Sequence, residues 1–340
     1  MWRSVQFSRY GGPEVLDLVE IPTPVPGVGE VVVEVMAAGL NPGESSIREG
    51  RLDKEWATHF PAGQGSDFAG FIAGAGAGVT EWKIGDAVLG HTVRGSQANF
   101  VTVPVGNVIR KPERLPWEIA GSLYVAAATA WQAVSGANPG PGRTVLVHAA
   151  HGGVGVIAAQ LAKRRGARVI GTASPDSFDY LRQIGVIPVE YGPGFDERLH
   201  RIAPDGVDAE LNRLGDTVLM NNVLMNVDST DTVVLQKIAS LIADHQIVIP
   251  VAAIYPFERV RDAYRELEAG HAHGKIVLCM IPVGYAHQKV HAIDLRQTEA
   301  TKDAPNRPPV PPNHEALPPV FGHRHHLATA GPVTESSHIE

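Results

Sequence analysis

The most readable chemistry of this chain lies in seven residues, Ala149-Ala150-His151-Gly152-Gly153-Val154-Gly155. Small residues here let the backbone turn tightly and approach a ligand without a Cβ in the way. A short apolar run, Val145 to Val147, precedes the turn and reads as a buried parallel strand. A helix follows, with Val156, Ala159, Leu161 and Ala162 apolar, and ends in Lys163-Arg164-Arg165 before a Gly166 stop. A second strand, Arg168 to Thr172, closes the unit. Strand, glycine turn, helix and strand within about 30 residues is the pattern of a dinucleotide-binding βαβ unit. Gly152 would let the backbone reach a pyrophosphate, and Gly155 would let the helix pack close to the strand. The helix N-terminus would present free N–H groups and a positive dipole end to the phosphates. Ala150 stands where the fingerprint has its first glycine.

The end of the second strand selects the cofactor. A site for NAD usually places an acid there for the ribose 2′-hydroxyl. Ala173 and Ser174 stand there instead, and a hydroxyl without a carboxylate tolerates a 2′-phosphate. NADP(H) is therefore favoured over NAD(H). Asp176 lies two residues further on, and no Lys or Arg is adjacent.

These residues need elements to hold them. With 340 residues, 44% hydrophobic, the chain is long enough for one large or two medium domains. Residues 1 to about 115 read as β-rich, with strands at Glu30 to Met36 and Asn99 to Val103, and Gly and Pro at short intervals as in a small barrel. Pro116 to Val134 reads as a helix leading into the nucleotide-binding part. From Thr144 strands and helices alternate: helix Asp176 to Gly185, strand Pro188 to Tyr191, helix Phe195 to Ile202, strand Gly206 to Leu211 and a short strand at Val223 to Val227. Thr232 to Ala243 reads as an amphipathic helix, Ile247 to Ala253 as extended, Phe257 to Ala269 as a helix and Lys275 to Ile281 as a strand. Residues 283 to 340 carry Pro308-Pro309-Val310-Pro311-Pro312 and His323-Arg324-His325-His326 without a sustained apolar period. They read as a disordered tail, the histidines as solvated or as a weak metal site.

Charge and composition exclude several classes. A net charge of −7 without a basic stripe argues against nucleic acid. No run approaches the roughly 20 apolar residues of a membrane span. A single cysteine, Cys279, permits no intramolecular disulfide and fits a cytoplasmic setting. A catalytic zinc needs three protein ligands of the Cys and His type. His59, His91, His148 and His151 show no such spacing, so no zinc is expected.

Several separated motifs occur together and in order. They are Tyr10-Gly11-Gly12-Pro13-Glu14-Val15-Leu16, Ala37-Ala38-Gly39-Leu40-Asn41-Pro42 with Ile47-Arg48-Glu49-Gly50, Gly65-Ser66-Asp67-Phe68-Ala69-Gly70, Ala128-Thr129-Ala130-Trp131, the glycine turn, and Gly274-Lys275-Ile276-Val277-Leu278. In these the chain resembles the zinc-independent quinone oxidoreductases, the zeta-crystallin-like family of the medium-chain dehydrogenase/reductase superfamily. The resemblance covers most of residues 1 to 281. It implies an α/β protein: a GroES-like β-barrel catalytic domain from residues 1–115 and 252–282, and a Rossmann doubly wound parallel sheet from residues 116–251. It implies hydride transfer from NADPH to a quinone or an activated enone or carbonyl, and a homodimer. By motif match, Asn41 and Thr129 would lie near the nicotinamide, and Gly152, Gly153, Val154 and Gly155 at the pyrophosphate. Ser174 and Tyr191 would lie at the adenosine phosphate, and Lys275 near the cofactor. No residue is assigned as catalytic; catalysis would rest on positioning, with a proton from solvent or a hydroxyl.

The match breaks after Gly215, where a few tens of residues of the family pattern are absent and the Rossmann domain reads as shortened. Two readings stand. One is an active NADPH-dependent reductase. The other is a catalytically silent NADP(H)-binding sensor or scaffold protein, because a fold can outlive its chemistry.

Overall fold

The computed structural model describes residues 2–54, 57–211 and 229–280. The expected strand at Val223 to Val227, the break after Gly215 and the tail from residue 283 lie outside the described residues.

The N-terminal part is antiparallel. Its strands are β1 (Trp2–Phe7), β2 (Asp17–Ile21), β3 (Glu30–Gly39), β4 (Ala62–Gly63), β5 (Asp67–Ala75), β6 (Ala87–His91), β7 (Phe100–Pro104) and β8 (Val108–Arg110), with helix α1 (Pro42–Arg48) after β3. β3 forms the spine because Val31, Val32, Val33 and Val35 are β-branched and buried on both faces. It pairs β5 and β7 antiparallel. β5 continues to β6 and β6 to β8. A smaller sheet runs β2-β1-β4. Val5 and Phe7 from the small sheet and Val31, Val33, Phe68 and Ile72 from the large one share one core.

The middle of the chain is α/β. It comprises α2 (Trp117–Ala120), α3 (Tyr124–Ala137), β9 (Thr144–Val147), α4 (Gly153–Arg164), β10 (Arg168–Ala173), α5 (Phe178–Gln183), β11 (Ile187–Glu190), α6 (Phe195–Ile202), β12 (Ala209–Leu211) and α7 (Ser229–Ala243). The strands run parallel in the order β11-β10-β9-β12. Alternate residues face opposite layers. Val145, Val147 and Val169 pack with Val125, Ile157 and Ile238 from α3, α4 and α7. Leu146, Ile170 and Val189 pack with Phe195, Leu199 and Ile202 around α6. Helices thus cover both faces of the parallel sheet. The strand order reverses beside β9, and such a switch point opens a crevice at the carboxyl ends of the strands.

The chain then returns to the antiparallel sheet through β13 (Val251–Pro256), α8 (Val260–Ala269) and β14 (Lys275–Cys279). β13 and β14 pair in parallel, and β14 runs antiparallel to β3. Among the described residues no helix is long and apolar enough to cross a membrane.

Two boundaries differ from the sequence reading for physical reasons. The single helix expected over Pro116 to Val134 is two, α2 and α3, broken at Gly121-Ser122-Leu123. The break lets the backbone press onto β3: a Cβ on Gly121 would stand 2.3 Å from the Ala37 carbonyl oxygen, and one on Gly39 2.5 Å from the Ser122 Cα. The extended run at Ile247 to Ala253 forms its strand later, at Val251–Pro256, where it meets β14.

Candidate functional site

The glycine turn is built by close approach. Ala149 has φ 46°, a left-handed conformation that an L side chain adopts at a cost. The left-handed turn residue is therefore Ala149, one place before the Ala150 that stands where the fingerprint has its first glycine. Ala150 is buried, and its N–H donates to the Thr172 carbonyl at 2.9 Å. The Ala149 N–H donates to the Thr172 hydroxyl oxygen at 2.9 Å. A Cβ on Gly171 would come within 2.6 Å of the Ala150 Cβ, so β10 needs glycine there to accept the turn. A Cβ on Gly155 would come within 2.2 Å of the Ala149 oxygen, which is the close helix–strand packing read from the sequence.

The start of α4 is left open. No side chain caps it, and the space beside Gly152 holds only the Ala149 oxygen, at 3.3 Å from where a Cβ would sit. The N–H groups of its first turn are thus free for an anion. Ser174, just past β10, has a buried hydroxyl with no hydrogen-bond partner among the described residues. An uncapped helix N-terminus, a glycine with one backbone neighbour beside it and an orphaned hydroxyl at the strand end suit a dinucleotide.

A second group of residues meets this turn. Lys275, at the start of β14, runs along α4: a Cβ on Gly153 would stand 2.6 Å from the Lys275 Cδ. Its ammonium donates to the Asn41 Oδ1 at 2.6 Å and to the Leu40 carbonyl at 3.0 Å. The Asn41 amide nitrogen donates to Asp67 Oδ2 and to Glu44 Oε1, both at 3.1 Å. Both hydrogens of the Asn41 amide are therefore committed, and its Oδ1 holds the Lys275 ammonium. Glu44 also accepts the Asn41 backbone N–H at 3.1 Å and the Tyr264 hydroxyl at 2.7 Å. Gln97 donates to that hydroxyl oxygen at 2.8 Å. Asp67 accepts the Val125 N–H in the first turn of α3 at 3.0 Å. Arg48 stacks on the Tyr264 ring and pairs with Glu268 at 2.5 Å, fixing α1 to α8.

This cluster is fully buried and carries opposed charges. Burial pushes the Glu44 carboxyl up, and the neighbouring Asp67 charge adds to it. Burial also pushes Asp67 up, opposed by Lys275 at 3.8 Å. Burial pulls the Lys275 ammonium down, opposed by Asp67 and Glu44. Every bond to Glu44 arrives from a donor, which is the arrangement an ionised carboxylate requires.

The structure thus brings Asn41, Lys275 and Gly153 together. Gly152, Val154 and Gly155 adjoin Gly153 at the same helix start. The Thr129 hydroxyl donates to its own helix, to the Val125 carbonyl at 2.6 Å. Tyr191 lies beyond β11 and is 56% exposed. Sequence reasoning missed Asp67, Glu44, Tyr264 and Gln97 as members of the cluster. Glu44 had a signal, since Asn41-x-x-Glu44 is the spacing of a capping box. Among the described residues no three His, Cys, Asp or Glu side chains are placed to hold a metal ion.

A barrel-like antiparallel sheet that is interrupted in sequence by a parallel dinucleotide-type sheet, and completed by the strands that follow it, is the arrangement of the medium-chain dehydrogenases. Residues 27–113 match the alcohol dehydrogenase GroES-like domain, and residues 141–278 match the zinc-binding dehydrogenase domain. The human quinone oxidoreductase is 35% identical over 179 residues, 52% of this chain and 54% of that protein. The rat synaptic vesicle membrane protein VAT-1 homolog is 34% identical over 219 residues, 63% of this chain and 54% of that protein. The chain thus spans about half the length of these relatives. The solved quinone oxidoreductase from Coxiella burnetii superposes with a TM-score of 0.72 at 28% identity, covering 82% of this chain and 99% of that one. The two matched domains are those of the medium-chain dehydrogenase/reductase proteins, and the chain is similar to the quinone oxidoreductases among them.

Proposed function

We propose that this protein is a zinc-independent reductase that transfers a hydride from NADPH to a quinone or an activated enone. The observation that carries the reading is the contact between Lys275 and the start of α4, which joins the Asn41 cluster to the glycine turn. Bound NADPH would supply the hydride. The first-turn N–H groups of α4 would hold its pyrophosphate, and the orphaned Ser174 hydroxyl would face the adenosine ribose and its 2′-phosphate. Asn41 and Lys275, fixed by buried partners, would set the wall against which the nicotinamide and substrate align. Asp67 and Glu44, the acids bonded to Asn41, are held by buried donors, so the second proton would come from solvent or a hydroxyl.

A catalytically silent NADP(H)-binding protein is the second reading, favoured by Thr129, whose hydroxyl is committed to its own helix. Absorbance at the reduced nicotinamide band separates the two. NADPH oxidation with a member of a quinone and enone panel supports the reductase. Binding without oxidation across the panel supports the silent protein.

A further inference from the structure

The glycine turn carries an imidazole, and a second one meets it. His151 and His273 lie edge to face with ring centroids 4.9 Å apart. His273 comes from the loop before β14, which is held tightly: Gly274 has φ 133°, and the Lys275 N–H donates to the Pro250 carbonyl at 2.9 Å. Ser177, buried at the entry to α5, lies with its hydroxyl oxygen 3.2 Å from His273 Nδ1. That bond occupies Nδ1 and leaves Nε2 as the outward group. The His151 Nδ1 is buried with no partner among the described residues. Three separate segments thus converge on two imidazoles and a hydroxyl, one residue from the uncapped start of α4.

We propose that His151 and His273 are phosphate ligands of the dinucleotide site, and that a proton is taken up by the pair as the phosphate binds. This rests on the dinucleotide reading above. Burial and the facing His273 hold His151 below the usual histidine range, so His151 resists a charge in the apo site. Of the titratable groups on the surrounding elements, Tyr180 of α5 has a buried hydroxyl without a partner among the described residues. His148 pairs with Glu210 at 3.1 Å at the ends of β9 and β12, Lys275 is held by Asn41, and Asp176 is exposed. A phosphate between the imidazoles supplies the negative charge that lets one become cationic, with an N–H donor to each oxygen it meets.

Calorimetric titration of the full chain tests this, with NADPH and NADH at pH 6, 7 and 8, each in two buffers of different ionisation enthalpy. The expected result is net proton uptake on binding at pH 7, with binding tighter by up to about tenfold per pH unit for each proton taken up as pH falls through the histidine range. Equal uptake with both dinucleotides assigns the ligand oxygens to the pyrophosphate; uptake with NADPH alone assigns them to the 2′-phosphate. His273→Gln and His151→Ala, each checked for an unchanged Tm, should weaken binding and abolish the uptake. Binding of the unaltered chain without uptake, or unchanged uptake in both variants, overturns the proposal and leaves the dinucleotide reading intact. Failure of both dinucleotides to bind at every pH overturns both.

Discussion

Lys275 is the residue on which the buried cluster turns. It faces two carboxylates, Asp67 and Glu44, inside a protein interior. Removing one partner of a buried ion pair leaves an uncompensated charge, which costs more than the pair itself contributes. Lys275→Met should therefore destabilise the protein by about 3–5 kcal/mol in urea unfolding. Adding Asp67→Asn should recover part of that loss; no recovery would mean the two do not interact. Ala149 offers the opposite case. Its φ of 46° is paid for by the rest of the turn, and Ala149→Gly should stabilise the fold by about 0.5–1 kcal/mol, read as a higher Tm. At this scale the sequence was informative about the turn, because glycine spacing has a backbone cause. It was silent about Asp67, because a buried acid between Ser66 and Phe68 looks like any other polar residue until its partners arrive from distant segments.

The elements position the cluster through close backbone contact. β3 and the α2–α3 junction touch at Gly39 and Gly121, and the Gly39 N–H donates to the Gly121 carbonyl at 2.7 Å. This contact carries Asn41, two residues past β3, toward α3 and Asp67. Gly121→Val should cost more than about 2 kcal/mol, since a Cβ meets the Ala37 backbone at 2.3 Å and only the backbone can yield. A loss below 0.5 kcal/mol would show that the junction shifts freely. Helix α6 was readable to the residue, as its apolar face repeats without interruption. The α2–α3 break was not, because Ala-rich Pro116 to Val134 has helical propensity throughout and only packing onto β3 interrupts it.

The molecule as a whole should be acid-sensitive. His91 is buried and stacked on Tyr124 with centroids 3.8 Å apart, and burial holds its pKa down at about 4, against 6.5 when exposed. Between these values the unfolded chain binds the proton and the folded one does not. Stability is therefore full above pH 6.5 and falls as pH drops toward 4. His91→Gln should flatten that slope in urea midpoints measured from pH 7 to pH 4.5. Glu44 and Asp67, pushed up by burial, act in the opposite sense, so the variant isolates the histidine's share. The two-part architecture was legible from the order of motifs. The return of β13 and β14 to the sheet of β3 came from the family resemblance, since no local pattern in Lys275–Cys279 reveals its partner strand.

The central claim is that the turn at Gly152 to Gly155 holds the phosphates of a reduced nicotinamide dinucleotide. Gly152 is the N-cap of α4, has φ −77°, and the one neighbour a Cβ there would meet within 4 Å is the Ala149 oxygen, at 3.3 Å. An aspartate there should cap the helix as well as glycine or better, yet place a carboxylate on the N–H groups meant for phosphate. The decisive measurement is NADPH and NADH titration of the unaltered chain and of Gly152→Asp, with Tm recorded for both. Saturable binding that favours NADPH in the unaltered chain, and its loss in a Gly152→Asp variant of equal or higher Tm, is the predicted result. Undiminished binding in that variant, or no binding of either dinucleotide to the unaltered chain, would contradict it.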